Sequence, residues 1–278
     1  MTMFFLIKKK GVVISVDTYN IGTHFLNFKS PDLVIKKILR SSISDLICKG
    51  VKPKFYFISG SGNKKTFTKN NLHKITKSLK SEQNKFNIDL CGGDTTFSSK
   101  LSFTITSMGY SNKIIYRNKA KPNDDIYVTG NLGDSYLGLN LLKKKIKVKK
   151  KDELFFINKY YNPALPFNLA KYLLKFANSS IDISDGLIDD LSKMINRQNL
   201  SFQLFENKIP VSKNLNYFIK KQKLNKIDLI SNGDDYQVLF TADFSKSRII
   251  QNVSKKTGIK ITKIGNIVSG KKKSLIFE

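Results

Sequence analysis

The sequence predicts an α/β (α+β) protein of two domains, and three observations carry that reading. Apolar residues recur at two different periods along the 278 residues, alternating in some segments and helically spaced in others. Capping signals mark where the helical segments begin. A polar connector with one proline, Ala120 to Asp125, divides the chain into residues 1–120 and 121–278. A hydrophobic content of 40% is enough for a folded core of this size.

Taken in order, Val12 to Val16 is a β-branched run that reads as a buried strand presenting Asp17 at its end. Ser30-Pro31-Asp32 starts a helix with a capping serine, a proline at the first position and an acid in the first turn. Leu33, Ile35, Ile38, Leu39, Ile43, Leu46 and Ile47 continue it until Gly50. Asp45 falls near the C-terminal end of that helix, against both packing and the helix dipole, so a bound cation, a lysine or a backbone partner must answer its charge. Phe55 to Ile58 reads as a strand and Gly60 to Thr66 as a mobile lysine-rich loop, lacking the glycine that precedes the lysine of a P-loop. Thr68 to Asn84 is an exposed helix carrying His73. Asn87 to Leu90 is a strand that runs into Gly92-Gly93-Asp94. Leu101, Phe103, Ile105 and Ser107 alternate with polar residues as in a half-buried antiparallel strand.

Beyond the connector, Ile126 to Thr129 is a strand, Gly130 to Gly133 a turn, and Asp134 to Leu142 a helix. Helices are predicted over Asp152 to Tyr160 and Pro166 to Ala177. Ser180 to Asp185 is a strand-to-helix junction leading into Gly186 to Ile195. Tyr236 to Thr241 reads as a strand, Ser245 to Lys256 as a helix and Lys260 to Val268 as a last strand.

Composition excludes several functions. The chain has 49 Lys+Arg against 21 Asp+Glu, a net charge of +28, and all its cations but Arg40, Arg117, Arg197 and Arg248 are lysines. Base readout favours arginine forks, and no helix-turn-helix, zinc-finger or ribonucleoprotein pattern appears, so no specific nucleic-acid role is expected; weak non-specific binding through charge is compatible. The densest run, Lys143 to Lys151, reads as a solvated helix end and loop. No apolar stretch approaches a membrane span, and the charges of Lys8-Lys9-Lys10 follow the first apolar run, the wrong order for a signal peptide. Cys48 and Cys91 read as two reduced thiols, which with the rest points to the cytoplasm.

The acids gather where a surface would not need them, in glycine-flanked motifs: Ser15-Val16-Asp17-Thr18, Ser44-Asp45-Leu46, Gly92-Gly93-Asp94-Thr95-Thr96, Gly133-Asp134-Ser135, Ile181 to Gly186 and Gly233-Asp234-Asp235-Tyr236. Carboxylate and hydroxyl oxygens in such numbers suit hard cations, and Mg²⁺ is usually shared with substrate phosphates. Gly92-Gly93 lets backbone approach a phosphate, although an ordinary turn has the same composition. Asp182 and Asp185 sit at the mouth of a predicted helix, where a free N-terminus attracts phosphate and where plain N-capping by Ser184 or Asp185 is the alternative. Asp189 and Asp190 read as surface acids, and His24 as a satisfied structural histidine.

These motifs, with Gly22-Thr23-His24-Phe25 and Val128-Thr129-Gly130 and in this order, resemble the thiamine-monophosphate kinases, of the superfamily that includes aminoimidazole ribonucleotide synthetase. The resemblance implies an N-terminal α/β domain that pairs into a β-barrel across a homodimer and a C-terminal α/β domain that closes over the nucleotide. It implies transfer of the γ-phosphate of ATP to thiamine monophosphate, giving thiamine diphosphate. By position, Asp17, Asp45, Asp94 and Asp182 would be Mg²⁺ ligands with Ser15 near a metal, and Asp185 would serve a further ion. Gly93, Asp94, Arg117 and Ser184 would contact ATP, with Asp94 and Arg117 catalytic, and His24 and Asp234 would contact thiamine monophosphate. Five features depart from the pattern. No Gly-Ile-Gly-Asp-Asp stretch precedes Gly11, and the sequence given ends before the aromatic expected beyond Glu278. Val16 stands for a threonine, Asp234 for a glutamate and Phe97 for an arginine. The alternatives are a catalytically weak or inactive nucleotide-binding homologue, or another ATP-dependent synthetase of the superfamily.

Overall fold

The computed structural model describes residues 2–7, 10–270 and 275–277. Its contacts divide into two units: Met1–Leu46 with Val51–Lys113, and Ile47–Gly50 with Ile114–Glu278.

The first unit is built from β1 (Thr2–Ile7), β2 (Lys10–Asn20), α1 (Pro31–Cys48), β3 (Pro53–Gly62), α2 (Lys69–Phe86), β4 (Asp89–Phe97) and β5 (Ser102–Tyr110). The strands form one sheet in the order β1-β2-β5-β3-β4. All neighbours are antiparallel except β3 and β4, which run parallel with α2 as the crossover such a pair requires. Along β5, Phe103, Ile105 and Ser107 are buried while the residues between them are half-buried. The helices lie on the buried face: the Ser42 hydroxyl of α1 donates to Ser107 Oγ at 3.3 Å, and Gln83 of α2 donates to the Tyr56 hydroxyl at 3.2 Å.

α1 begins at Pro31 with Asp32 in its first turn, as its sequence predicts, and buries Val34, Ile35, Ile38, Leu39, Ile43 and Leu46. α2 is capped by the Thr68 hydroxyl, which accepts from Asn71 N, and is closed by Asn87 in the left-handed region. The two helices are clamped by a bidentate ion pair. Arg40 Nε and Nη2 reach Glu82 Oε2 and Oε1 at 2.7 and 2.9 Å, and the side chains are only 6% and 1% exposed.

The glycine-rich segments of this unit are strand and not loop. Gly60 to Gly62 finish β3, in register with Thr95 to Phe97, so the lysine-rich loop begins only after them. Gly92-Gly93-Asp94 continues β4 instead of turning. A Cβ on Gly93 would fall 1.8 Å from the Ile58 carbonyl oxygen, so the pairing of β3 with β4 itself demands glycine there.

The second unit comprises β6 (Asp125–Thr129), α3 (Asp134–Leu142), α4 (Lys150–Tyr161), α5 (Ala170–Leu173), β7 (Ser179–Asp182), α6 (Leu187–Ile195), β8 (Leu200–Phe205), α7 (Lys213–Gln222), α8 (Lys226–Ile230), β9 (Val238–Ala242), α9 (Ser247–Thr257), β10 (Ile261–Ser269) and β11 (Leu275–Phe277). Its six strands are ordered β11-β8-β10-β6-β9-β7, antiparallel except for β11 beside β8. One core packs Ile126, Val128, Ile183, Leu187, Leu191 and Phe202 on the sheet, and a second joins α3, α4 and α7 through Leu137, Phe156, Leu215 and Phe218. The helix expected over 166–177 is instead a 3₁₀ turn followed by the four-residue α5. Bonds from Lys175 N to the Tyr172 carbonyl and from Phe176 N to the Leu173 carbonyl tighten the chain out of the α geometry. β8, α7, α8 and β11 were not anticipated from the pattern of the sequence.

Replacing Glu82 by alanine removes the carboxylate that answers the buried Arg40 guanidinium. Such a change costs about 3–5 kcal/mol, so the variant should unfold at markedly lower denaturant than the parent, while Arg40→Met with Glu82→Leu should recover most of that loss.

Candidate active site

In the first unit the strand period decides what the helices see. Along β2, Val13, Ser15 and Tyr19 are buried and Val16, Thr18 and Asn20 exposed, which puts Asp17 on the α1 side with Ser15. There Ser15, with 0% exposure, donates a short hydrogen bond from its hydroxyl to Asp45 Oδ2. Asp45 is therefore answered by a hydroxyl from a strand 30 residues earlier. Asp17 lies in the same pocket. Its Oδ2 is buried with no hydrogen-bond donor, and burial, then the Asp45 charge, raises its carboxyl from the ordinary range to about 6. The Ser42 and Tyr19 hydroxyls relieve part of this. An unsatisfied buried carboxylate oxygen beside a second carboxylate and a serine hydroxyl is the donor set of a hard cation, so these residues fit Mg²⁺.

Asp94 lies on β4, exposed along with nearly the whole strand, and its Oδ1 accepts from Thr95 N at 2.8 Å. Among the described residues no three His, Cys, Asp or Glu side chains gather to hold a metal. The structure thus joins Ser15, Asp17 and Asp45, and records no contact between Asp94 and them. His24 sits in the turn after β2, where Nδ1 accepts from Asn20 N at 3.0 Å and the ring meets Tyr19 edge-on at 5.7 Å. That bond places the proton of the neutral imidazole on Nε2.

In the second unit two loops are laced together. Asp234 N donates to the Ser184 carbonyl at 2.9 Å, Tyr236 N to the Ile183 carbonyl at 2.8 Å and Ile183 N to the Gln237 carbonyl at 2.8 Å. The approach is so close that a Cβ on Gly233 would fall 1.6 Å from the Ser184 carbonyl oxygen. Ser184, Asp185 and Asp234 are brought together this way, with Asp182 buried at the end of β7 and its Oδ1 at 3.9 Å from the Cys48 thiol. Asp234 and Tyr236 both adopt left-handed backbone, at φ 67° and 51°, and the Tyr236 hydroxyl donates to Asp234 Oδ1 at 2.9 Å. Arg117 is exposed in the segment between β5 and β6.

Asp190 is not a surface acid. It is 1% exposed, and its Oδ2 accepts from the N–H groups of Ser184, Asp185 and Gly186 at 2.9, 2.9 and 3.1 Å. The backbone donors that a free helix start would offer to phosphate are filled by the chain's own carboxylate, which burial nevertheless holds above the ordinary range. Lys193 bridges Asp185 and Asp190 Oδ1. The sequence signal was present as an acid four residues after Gly186, on the inward side of the helix. Asp189, in contrast, is exposed as expected.

Two further acids lie buried nearby. Asp235 Oδ2 accepts from Gly133 N at 2.8 Å and so caps α3 from a distance, with its carboxyl raised well above the usual range by burial. Asp134, 4% exposed, accepts from the Ser212 hydroxyl at 2.6 Å and is raised to about 6, again by burial. Both border a cavity of about 270 Å³ with Lys159, Gln237 and Lys260.

Asp190→Ala strips one acceptor from three backbone donors and leaves a cavity in its place, so a loss of about 1–3 kcal/mol is expected, with amide exchange at Ser184 to Gly186 rising in step. Because folded Asp134 holds its proton more tightly than the unfolded chain, stability contributed at low pH is lost as pH rises from about 4 through about 6, with a full penalty of about 3 kcal/mol above it. Asp134→Asn should raise the melting temperature at neutral pH and flatten that part of the pH profile.

Comparison with known proteins accords with this arrangement. Residues 3–111 match the family model for the AIR synthase related protein, N-terminal domain. The thiamine-monophosphate kinase of Buchnera aphidicola subsp. Acyrthosiphon pisum is 37% identical over 267 residues, covering 94% of this chain and 80% of that protein. The solved complex of AaThiL with AMPPCP and TMP superposes with a TM-score of 0.88 at 26% identity, over 99% of this chain and 86% of that one. The crystal structure of thiamine monophosphate kinase from Aquifex aeolicus gives 0.87, also at 26% identity, over 99% of this chain and 90% of that one. With loops, acids and both sheets in place over most of the length of these proteins, the chain belongs to the thiamine-monophosphate kinase family.

Proposed function

We propose that this protein transfers the γ-phosphate of ATP to thiamine monophosphate, forming thiamine diphosphate by direct in-line displacement with Mg²⁺. Family membership supports the reaction, and the complex of AaThiL with AMPPCP and TMP supports the substrate pair. The observation that carries the metal part is Asp17, a half-buried carboxylate with one buried, orphaned oxygen beside Asp45 and Ser15.

Ser15, Asp17 and Asp45, with Asp94 of the same unit, would hold Mg²⁺, and Asp182 and Asp185 would serve ions from the second unit. Bound magnesium supplies charge neutralisation for the phosphates. The remaining ligands would be substrate oxygens and water, since no three acidic, histidine or cysteine side chains cluster among the described residues. The Gly93 backbone, the Ser184 hydroxyl and the Arg117 guanidinium would contact ATP. His24 offers its Nε2 proton to thiamine monophosphate, and Asp234, oriented by Tyr236, accepts from it. No general base is required: a phosphate monoester with its second pKa about 6 is already ionised at neutral pH, so alignment does the rest.

A homodimer follows from the same reading and has a surface to support it. The face of the first sheet turned away from its helices carries Val16, Thr106 and Phe57 in one cross-strand row, with Val16 and Phe57 at 44% and 39% exposure. Phe97 and Tyr110 of the same sheet are 73% and 53% exposed. An apolar area of that kind suits pairing with a second copy.

The full chain given ATP, Mg²⁺ and thiamine monophosphate should form thiamine diphosphate, and should sediment as a dimer. Asp94→Asn and Asp17→Asn should each lower kcat by about 100-fold or more. No product from a folded chain that still binds ATP would sink the kinase reading and leave a nucleotide-binding homologue.

A further inference from the structure

The lysine run read from the sequence as a solvated helix end is anchored to the core. Ile146 and Val148 pack against the cluster of Leu137, Phe156, Leu215 and Phe218, while Lys145, Lys147 and Lys149 are exposed. Apolar side chains turned inward fix the segment and leave a row of cations outward. Lys147 and Lys149 then form one wall of a groove of about 550 Å³, and Tyr217 and Lys221 of α7 the other. Tyr217 is 54% exposed, and the Lys221 ammonium stands 5.4 Å from its ring centroid and 3.2 Å from its hydroxyl. Lys143, Lys144, Lys150, Lys151, Lys220 and Lys223 are exposed on the same two segments. The one acid in the groove wall, Asp152, faces Asn214 Nδ2 at 3.4 Å.

We propose that this groove binds single-stranded nucleic acid without regard to sequence. Flexible lysines neutralise phosphates as point charges but do not read base edges, which fits a sequence-independent site. An exposed aromatic face with a cation beside it is what an unpaired base stacks upon, and a duplex offers no such free base. A membrane surface would call for exposed apolar side chains projecting from the lysine row, whereas Ile146 and Val148 are half-buried against the core cluster, Val148 also lining the groove. The site lies wholly in the second unit and uses no residue assigned above to the kinase reaction.

The test is fluorescence anisotropy of a labelled single-stranded RNA of about 12 nucleotides with the full chain, across a salt series centred on about 100 mM. Binding should weaken steeply with salt. Lys147→Gln, Lys149→Gln and Lys221→Gln together should reduce the log–log salt slope by about 2, at about 0.7 per phosphate contact. Lys74→Gln, Lys77→Gln and Lys80→Gln on α2, with the same change of net charge, should leave the slope near that of the parent. Tyr217→Ala should weaken binding roughly tenfold at unchanged slope. Equal loss in the two triple variants would overturn the proposal in favour of net charge alone. It is equally overturned by no binding at about 100 mM salt, or by groove variants that lose affinity for phosphatidylserine vesicles but not for RNA.

Discussion

Desolvation of carboxylates is the constraint on which this structure turns. A lysine-rich chain that buries Asp17, Glu82, Asp134, Asp182, Asp190 and Asp235 wholly or partly must answer each negative charge locally, because net charge at a distance is screened. Four answers appear. Glu82 takes a guanidinium fork, Asp190 takes three backbone donors and an ammonium, Asp235 takes the start of a helix, and Asp134 takes one hydroxyl with part of its proton affinity restored. The first three are complete and build the scaffold. Asp17 is the acid whose answer is incomplete within the pocket it shares with Asp45, and that shortfall marks it as a candidate ligand more sharply than composition does.

Much of the fold was legible because it is written locally. Pro31 and Asp32 open α1, Thr68 caps α2, and the alternation of Phe103, Ile105 and Ser107 gives the sidedness of β5. What escaped depends on partners far along the chain. β8 carries buried residues on both faces and has no alternation to reveal it, and Gly60 to Gly62 look like a loop until β4 lies beside them. The same division holds for the site. The motifs flagged Asp17, Asp45, Ser184, Asp185 and Asp234, but Ser15 as the donor to Asp45 is a fact of strand against helix. Asp189 and Asp190 are indistinguishable in the sequence, and only the helical phase turns one outward and the other in.

Glycine has two distinct uses around the acids. Gly93 is bare because two strands meet there, and Gly233 is bare because one loop lies against another. In both cases the absent side chain leaves an adjacent aspartate, Asp94 or Asp234, on a backbone whose position is set by hydrogen bonds and not by its own preferences. Asp234 is held in left-handed backbone, and Tyr236 repeats that conformation two residues on, so the loop is maintained by its lacing to Ser184 and Ile183. Precision at these carboxylates is borrowed from the main chain.

Lys193 gives this arrangement a threshold. Its ammonium already sits against Asp185 while also holding Asp190, so any ion that approaches Asp185 meets a carboxylate occupied by an internal counter-ion. If Asp185 serves an ion as proposed, its occupancy would be an exchange of one cation for another, with an affinity set by the difference between the two and not by the carboxylate alone. A tethered lysine cannot diffuse away when displaced, so it competes at constant effective concentration however dilute the protein becomes. An ion at Asp185 would therefore have to outcompete a counter-ion already tethered in place, and the Lys193 pair would re-form as that ion left.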